Sequence, residues 1–149
     1  AKAACQLGLP KQSPRIAATI GTWRARRDIV VPTVIDDDRE AAANRNRATL
    51  TGYVALPNYR NYWRASGYDS QVDEFERVLA SASREQLAEA LTAVMSNEWL
   101  DDCTMSGPAE VVRERIAAWW ATGVMPVAVM SAVDGGQAKG VANLFAAYS

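Results

Sequence analysis

The 149-residue chain contains no histidine. That removes the commonest general base, every Ser–His or Cys–His nucleophile pair and the commonest transition-metal ligand. Chemistry would have to come from carboxylates, tyrosines or a bound cofactor. The densest carboxylate group is Asp36-Asp37-Asp38. A metal site built on it needs further oxygen ligands from elsewhere, and the sequence points to none, so no metal is expected. The same triplet suits the start of a helix, where side-chain oxygens accept from unpartnered N–H groups and negative charge meets the positive end of the helix dipole. The capping reading is adopted. The second group is aromatic: Tyr53, Tyr59, Tyr62 and Trp63 fall within eleven residues. Such rings can wall a pocket for a planar ligand or pack between helices. No second feature marks a ligand, and packing is favoured.

Other functional classes are excluded more simply. The 16 basic residues are balanced by 17 acidic ones, for a net charge of -1, which leaves no electrostatic footprint for nucleic acid or an anionic membrane. Arg24, Arg26 and Arg27 form one dense cationic cluster, read as charges at a helix C-terminus. Cys5 and Cys103 lie far apart without Cys-x-x-Cys spacing, so neither a zinc ribbon nor a disulfide framework is expected, and a reduced cytoplasmic chain is. No segment approaches the ~18 apolar residues of a membrane span, and no signal-peptide core opens the chain. The chain begins with Ala1, which fits a trimmed or partial product.

The elements that would position these residues alternate between helix and strand. Residues 1–12, with Gly8 and Pro10, read as a loop or frayed entry. Ser13-Pro14 then opens a helix through Ile16, Ile20 and Trp23 that ends near Arg27. The apolar, β-branched run 29–35 predicts a strand buried on both faces, as in a parallel sheet. Pro32 within it suggests a bulge or an unpaired position. A helix follows to about Val54, and Pro57 restarts a short one that Gly67 ends. Residues 69–82 carry Val72, Phe75, Val78 and Leu79 on one face. Ser83-Arg84-Glu85-Gln86 is a capping-box pattern for a helix through Val94, and a short helical piece covers 97–101. Ser106-Gly107-Pro108-Ala109-Glu110 announces a helix buried along Val112, Ile116 and Trp119, with Gly123 as its C-terminal cap. A second strand is predicted over 125–130, and Asp134-Gly135-Gly136 turns into a last helix with Val141, Leu144 and Phe145.

Strands separated by helices imply parallel pairing and a helix-rich α/β fold. Two strands alone would leave both sheet edges open. On that ground the chain needs strands from elsewhere, either a missing part or a second copy.

Several of these segments resemble the luciferase-like monooxygenases, closest to the deazaflavin-dependent actinobacterial branch. The similarity runs through Asp36-Asp37-Asp38 and the following helix into Leu50-Thr51-Gly52-Tyr53-Val54-Ala55-Leu56-Pro57-Asn58-Tyr59. It resumes at Ser106-Gly107-Pro108-Ala109-Glu110-Val111-Val112-Arg113-Glu114-Arg115-Ile116 and at Gly123-Val124 before Pro126-Val127-Ala128-Val129. It ends with Gly135-Gly136-Gln137 and Leu144-Phe145-Ala146-Ala147-Tyr148, and Arg26-Arg27-Asp28 fits the approach to the first strand. The resemblance spans nearly everything from Ser13 onward, in capping and packing motifs rather than catalytic ones.

What it implies is a single partial domain over 1–149: the last two strand–helix units of a (β/α)8 TIM barrel, with a helical insertion between the strands. A complete barrel takes about 250 residues. The implied activity is that of an oxidoreductase or monooxygenase on a small organic substrate. Its cofactor would be the deazaflavin coenzyme (factor 420) or flavin mononucleotide (FMN). No catalytic or cofactor-binding residue carries over, and this chain alone is not expected to hold a complete active site. Asp36 and Ser131, at strand ends, would lie on the face where barrel active sites form, and Tyr59 and Trp63 could wall the substrate side. The partner would be the missing N-terminal part of the barrel or a second copy, making a homo-oligomer. Two other readings stand beside it: a non-catalytic remnant that folds as a homodimer, and a helical binding module using the aromatic segment 53–63 as a groove.

Overall fold

The computed structural model describes residues 28–149. The expected loop at 1–12, the helix ending near Arg27 with its arginine cluster, and Cys5 lie outside the described residues. The described chain opens with β1 (Asp28–Ile35) and continues through five helices, α1 (Arg39–Val54), α2 (Pro57–Ala65), α3 (Asp69–Ser81), α4 (Leu87–Val94) and α5 (Asn97–Cys103). A short strand β2 (Met105–Gly107), α6 (Ala109–Ala121), β3 (Met125–Ser131) and α7 (Gly136–Ala147) complete it. The result is a helix-rich α/β fold around a three-stranded parallel sheet in the order β2-β1-β3.

Several boundaries follow directly from local chemistry. Asp38 is the N-cap of α1, its Oδ1 accepting from the backbone N–H groups of Glu40 and Ala41 at 3.1 and 3.0 Å. Pro57 stands at the first position of α2, where its missing N–H has no helical partner to lose. Gly67 and Gly123, with φ of 87° and 78°, take the left-handed conformation that ends α2 and α6. The capping box is present only in part. Ser83 Oγ accepts weakly from the Gln86 N–H at 3.4 Å and donates to Gln86 Oε1, but this turn precedes regular helix, which starts at Leu87.

One expectation is corrected and another is narrowed to one of its two alternatives. The sheet has three strands, because Met105–Gly107 pairs in parallel with Thr33–Ile35. A strand of three residues is too short to leave a period-2 pattern, and the Ser106-Gly107 pair read as a helix start is strand. Gly107, at φ 123°, closes β2, and its carbonyl accepts the Asp36 N–H at 3.0 Å. Pro32 produces no bulge, for the register with β3 passes without a skip through Val31↔Ala128, Pro32↔Val129 and Thr33↔Met130. The proline is tolerated in a central strand because β2 joins only at Thr33, leaving that flank of Pro32 without a ladder partner.

The register separates the two faces of the sheet. Ile29, Val31 and Ile35 of β1 join Ala128 and Met130 of β3 in the main hydrophobic core, beneath α1, α6 and α7. On the opposite face Val34 is fully buried, but lower down Val30 is 60% exposed, with Met125 and Val127 also exposed. The core continues away from the sheet into α2–α5. There Trp63, Phe75, Leu91, Trp99 and Leu100 are buried together.

Among the described residues no helix is long and apolar enough to cross a membrane.

Candidate functional site

The C-terminal ends of β1 and β3 lie side by side, since Val34 is the register partner of Ser131. Asp36, just past β1, and Ser131, the last residue of β3, therefore share one end of the sheet. Asp36 is half-buried, and its Oδ1 accepts from the Asp38 N–H at 3.0 Å. Asp36 thus orders the turn into α1 while Asp38 caps the helix. Ser131 is held from two sides. Arg45, nearly two turns into α1, donates from Nε to Ser131 Oγ at 2.9 Å. The backbone of α7 presses against it at Gly140: a Cβ added there would meet the Ser131 carbonyl oxygen at 2.5 Å. Asn143, on the same helix, donates from Nδ2 to the Ile35 carbonyl at 3.1 Å.

The consequence is chemical as well as mechanical. With Arg45 donating into its oxygen, the Ser131 hydroxyl keeps its own proton to donate to a ligand. The exposed Arg45 guanidinium adds positive charge at the same end. Gly135 and Gly136, both left-handed at φ 81° and 64°, turn the chain into α7 without a side-chain cap, so its first N–H groups face the same way as the strand ends. Hydroxyl, guanidinium and helix terminus are all suited to an anionic or carbonyl oxygen. Arg45 and Gly140 carry no sequence signal for this role, because each acts through a residue some ninety or nine positions away along the chain.

Tyr59 and Trp63 occupy a different region. They are neighbours on α2 with ring centroids 6.0 Å apart, and Tyr53 meets Tyr59 edge-on at 5.0 Å. Tyr59 is half-buried. Trp63 is buried against Trp99 and Phe75, at centroid distances of 4.9 and 6.2 Å, and Phe75 in turn meets Trp99 at 5.0 Å. Edge-to-face contacts of this kind fill the space between helices. Beside this cluster sits Cys103. Burial first, and the Asp102 carboxylate second, push its thiol pKa well up, against a smaller opposing effect from Trp63. It is a protonated packing group rather than a thiolate nucleophile. The Tyr62 hydroxyl is raised to about 12, by burial first and then by Cys103, with Ser66 opposing.

A groove of about 420 Å³ runs along the seam between α3 and the start of α5, lined by Tyr68, Gln71, Glu74, Val94, Ser96 and Glu98 among others. Gln71 bridges it, accepting from the Ser96 N–H at 2.9 Å and donating to the Val94 carbonyl at 2.7 Å. None of the four site candidates read from the sequence lines it.

Arg115 is a further residue that reads from sequence as surface and is not. It is buried, donating to the carbonyls of Asp101 and Thr104 at 2.8 and 2.9 Å and pairing with the Asp101 carboxylate at 3.3 Å. It fixes the turn that delivers the chain into β2.

No family model matches the chain, and no solved structure matches it significantly. It is similar to a protein of Mycobacterium tuberculosis whose name provisionally assigns it a coenzyme F420-dependent oxidoreductase activity, at 28% identity over 155 aligned residues. The similarity takes in 90% of this chain, and the chain spans 42% of the length of that relative.

Proposed function

We propose that this chain is the C-terminal part of a luciferase-like, deazaflavin-dependent oxidoreductase, contributing the last two strand–helix units of a (β/α)8 barrel. The observation that carries the reading is the similarity to the mycobacterial relative over nearly the whole chain but under half of the relative. The sheet is of the right kind to be part of something larger: all its pairs are parallel, and parallel sheets are normally covered on both faces. Here the lower half of one face is bare at Val30, Met125 and Val127. On this reading β1 and β3 are the seventh and eighth barrel strands, and α1–α5 with β2 form the insertion between them.

The residues at the strand ends fit the anionic part of such a coenzyme. Arg45, Ser131 and the first turn of α7 would hold a phosphate or carboxylate oxygen, with Asp36 keeping the α1 entry in place. When bound, the deazaflavin would supply hydride transfer to or from a small organic substrate. The described residues would orient it and favour its charge. Tyr59 and Trp63 bear on the site only by bracing α1 and α2.

The test is a fluorescence titration with the deazaflavin coenzyme and, separately, with FMN. It is run on this chain alone and on this chain mixed with the part of the mycobacterial relative that lies outside the matched region. Binding of the deazaflavin by the mixture, weakened about tenfold by Arg45→Met through loss of one charge-assisted contact, is the expected result. Binding of FMN in preference corrects the cofactor. If neither coenzyme binds under any mixing, the reading fails.

A further inference from the structure

The face that α1 turns to the sheet is apolar except at one position. Ala42, Asn46, Leu50 and Val54 are its buried residues, each four along from the last, and Asn46 is 0% exposed. Its Nδ2 donates to the carbonyl of Met105 in β2 at 3.3 Å. Its Oδ1, also buried, has no partner among the described residues. A buried amide that leaves one polar atom unpaired costs stability, and an apolar side chain of similar size would not. What the amide adds is direction. Hydrophobic contact is non-directional, so a stripe of Ala42, Leu50 and Val54 alone would let α1 turn or slide on the sheet. A hydrogen bond is directional, and a single buried asparagine is a known means of fixing the register of packed elements.

The preceding residue supplies what is to be fixed. Arg45 donates to Ser131 Oγ in β3, so two adjacent residues of α1 hold the two strands that flank β1. Adjacent helical residues lie about 100° apart around the axis. Turning α1 so as to lift Asn46 from Met105 therefore also turns Arg45 relative to Ser131. The Asp36 N–H, bonded to the Gly107 carbonyl, ties the start of the turn into α1 to the other end of the same β2. That tie sets where α1 begins, and Asn46 sets how the helix is rotated about two turns further on.

We infer that Asn46 is a positioning residue for Arg45: its bond to the β2 backbone sets the rotation of α1 and thereby aims the Arg45 guanidinium at Ser131. The inference rests on Arg45 and Ser131 being the oxygen-holding pair of the proposed coenzyme site, but the orientation it describes is present without the coenzyme.

The Nε–H resonance of Arg45 is followed by heteronuclear NMR in the full 149-residue chain, assigned by its absence in Arg45→Lys, alongside a thermal melt. Ser131→Ala removes the acceptor and gives the position of the released group. Asn46→Leu, apolar and of similar volume, should move the resonance to that released position. Its melting temperature should stay within about 3 °C of the parent, because the lost bond to Met105 is offset by removal of the unpaired Oδ1. If Asn46→Leu does not fold, Asn46→Ser, too short to reach Met105, should give the same released resonance at a lower melting temperature. An Arg45 resonance that keeps its parental position in the folded variant overturns the inference. So does a shift accompanied by lost amide protection across β1 and β2, since the whole contact between helix and sheet would then have failed. Wherever the deazaflavin binds, Asn46→Leu should weaken it about tenfold, as Arg45→Met does. A coenzyme that binds in no mixture defeats the coenzyme reading and leaves the resonance shift, and with it the role of Asn46, standing.

Discussion

The helical region α2–α5 and the sheet region β1–β3 with α6 and α7 are built to different degrees of closure. In the helical region the large side chains point at one another: Trp63, Phe75 and Trp99 are all buried and in mutual edge contact. Its surface is tied by ion pairs, with Arg64 reaching Asp73 and Glu76 at 2.7 and 2.8 Å and Arg60 reaching Glu76 at 3.3 Å. Such exposed pairs add little individually, but they cap a region already closed by packing. In the sheet region, by contrast, Val30, Met125, Val127, Val141, Phe145 and Tyr148 all remain exposed. Solubility alone does not produce an apolar display of that extent. The difference teaches where partners are to be sought: the helical half buries its large side chains in the core it shares with the sheet, and the sheet half has surface to give.

The comparison breaks first if the helical region is not the stable one. Trp99 is fully buried, and its Nε1 has no hydrogen-bond partner. Trp99→Ala should cost about 3–5 kcal/mol, the cost of truncating a buried aromatic, read as a lowered denaturant midpoint at unchanged slope. Trp99→Phe should cost clearly less, because it keeps the ring contacts and removes the unpartnered N–H. Equal losses in both would mean that the indole nitrogen is satisfied by something the packing does not reveal.

The sheet region has one point of comparable sensitivity. α7 approaches β3 so closely at Gly140 that an added Cβ would lie 2.5 Å from the Ser131 carbonyl oxygen and 2.9 Å from its nitrogen. These are backbone atoms and cannot swing aside. Gly140→Ala should therefore cost about 1–3 kcal/mol through overpacking, although alanine is ordinarily the better helix former. A thermal melt decides it. If the variant is as stable as the parent, α7 is not seated on Ser131, and the positioning of that hydroxyl by Arg45 loses its second support.

How much of this was legible in the sequence follows the same division. Helix limits were readable wherever one residue fixes the backbone: Asp38 as a cap, Pro57 as a start, Gly67 and Gly123 as stops. The strands were readable to within one residue, 29–35 from a β-branched run for Asp28–Ile35 and 125–130 from a short apolar run for Met125–Ser131. β2 was not, because three residues carry no period, and its pairing depends on Arg115 holding a turn eleven residues upstream. The bare lower face of β1 was also hidden, since a continuous apolar run predicts burial on both sides, and Val30 departs from it because no layer among the described residues covers it. At the candidate site, Asp36 and Ser131 were readable as strand ends, whereas their neighbours Arg45, Gly140 and Asn143 arrive by tertiary packing. A glycine inside a helix pattern and an arginine on a helix face look the same in sequence whether they touch a strand or water.

Alkaline pH should expose the helical region specifically. The Tyr62 hydroxyl is raised from its ordinary value to about 12 in the folded chain, so between pH 10 and 12 the unfolded chain releases this proton and the folded one retains it. The unfolded state then binds fewer protons, and stability falls as pH rises. Cys103, shifted in the same direction by burial, starts the fall nearer pH 9. Denaturation midpoints should be flat below that and decline above it by about 1–2 kcal/mol in total for the tyrosine, allowing for its incomplete burial. Tyr62→Phe should flatten the upper part of the decline and leave the onset near pH 9 in place. An unchanged profile in Tyr62→Phe would place the alkaline sensitivity elsewhere.

The smallest effect is the one that most sharply separates a covered surface from an open one. Val30 and Val31 are adjacent on the same strand, 60% and 1% exposed. Val31 faces the core, and Val31→Thr buries a hydroxyl there, costing about 1–3 kcal/mol in desolvation. Val30→Thr keeps the β-branch and places its hydroxyl in water. In the chain by itself it should change the urea midpoint by no more than about 0.5 kcal/mol, like other exposed substitutions. The value of the pair lies in repeating it under association. If further strand–helix units cover the lower face, as the barrel reading requires, Val30→Thr becomes a buried polar substitution, and its cost should rise toward that of Val31→Thr in the assembled protein. If the chain assembles without covering that face, the surroundings of Val30 stay wet, and the cost should remain near zero in the assembled protein too. One conservative substitution thus reports which part of the open sheet a partner covers.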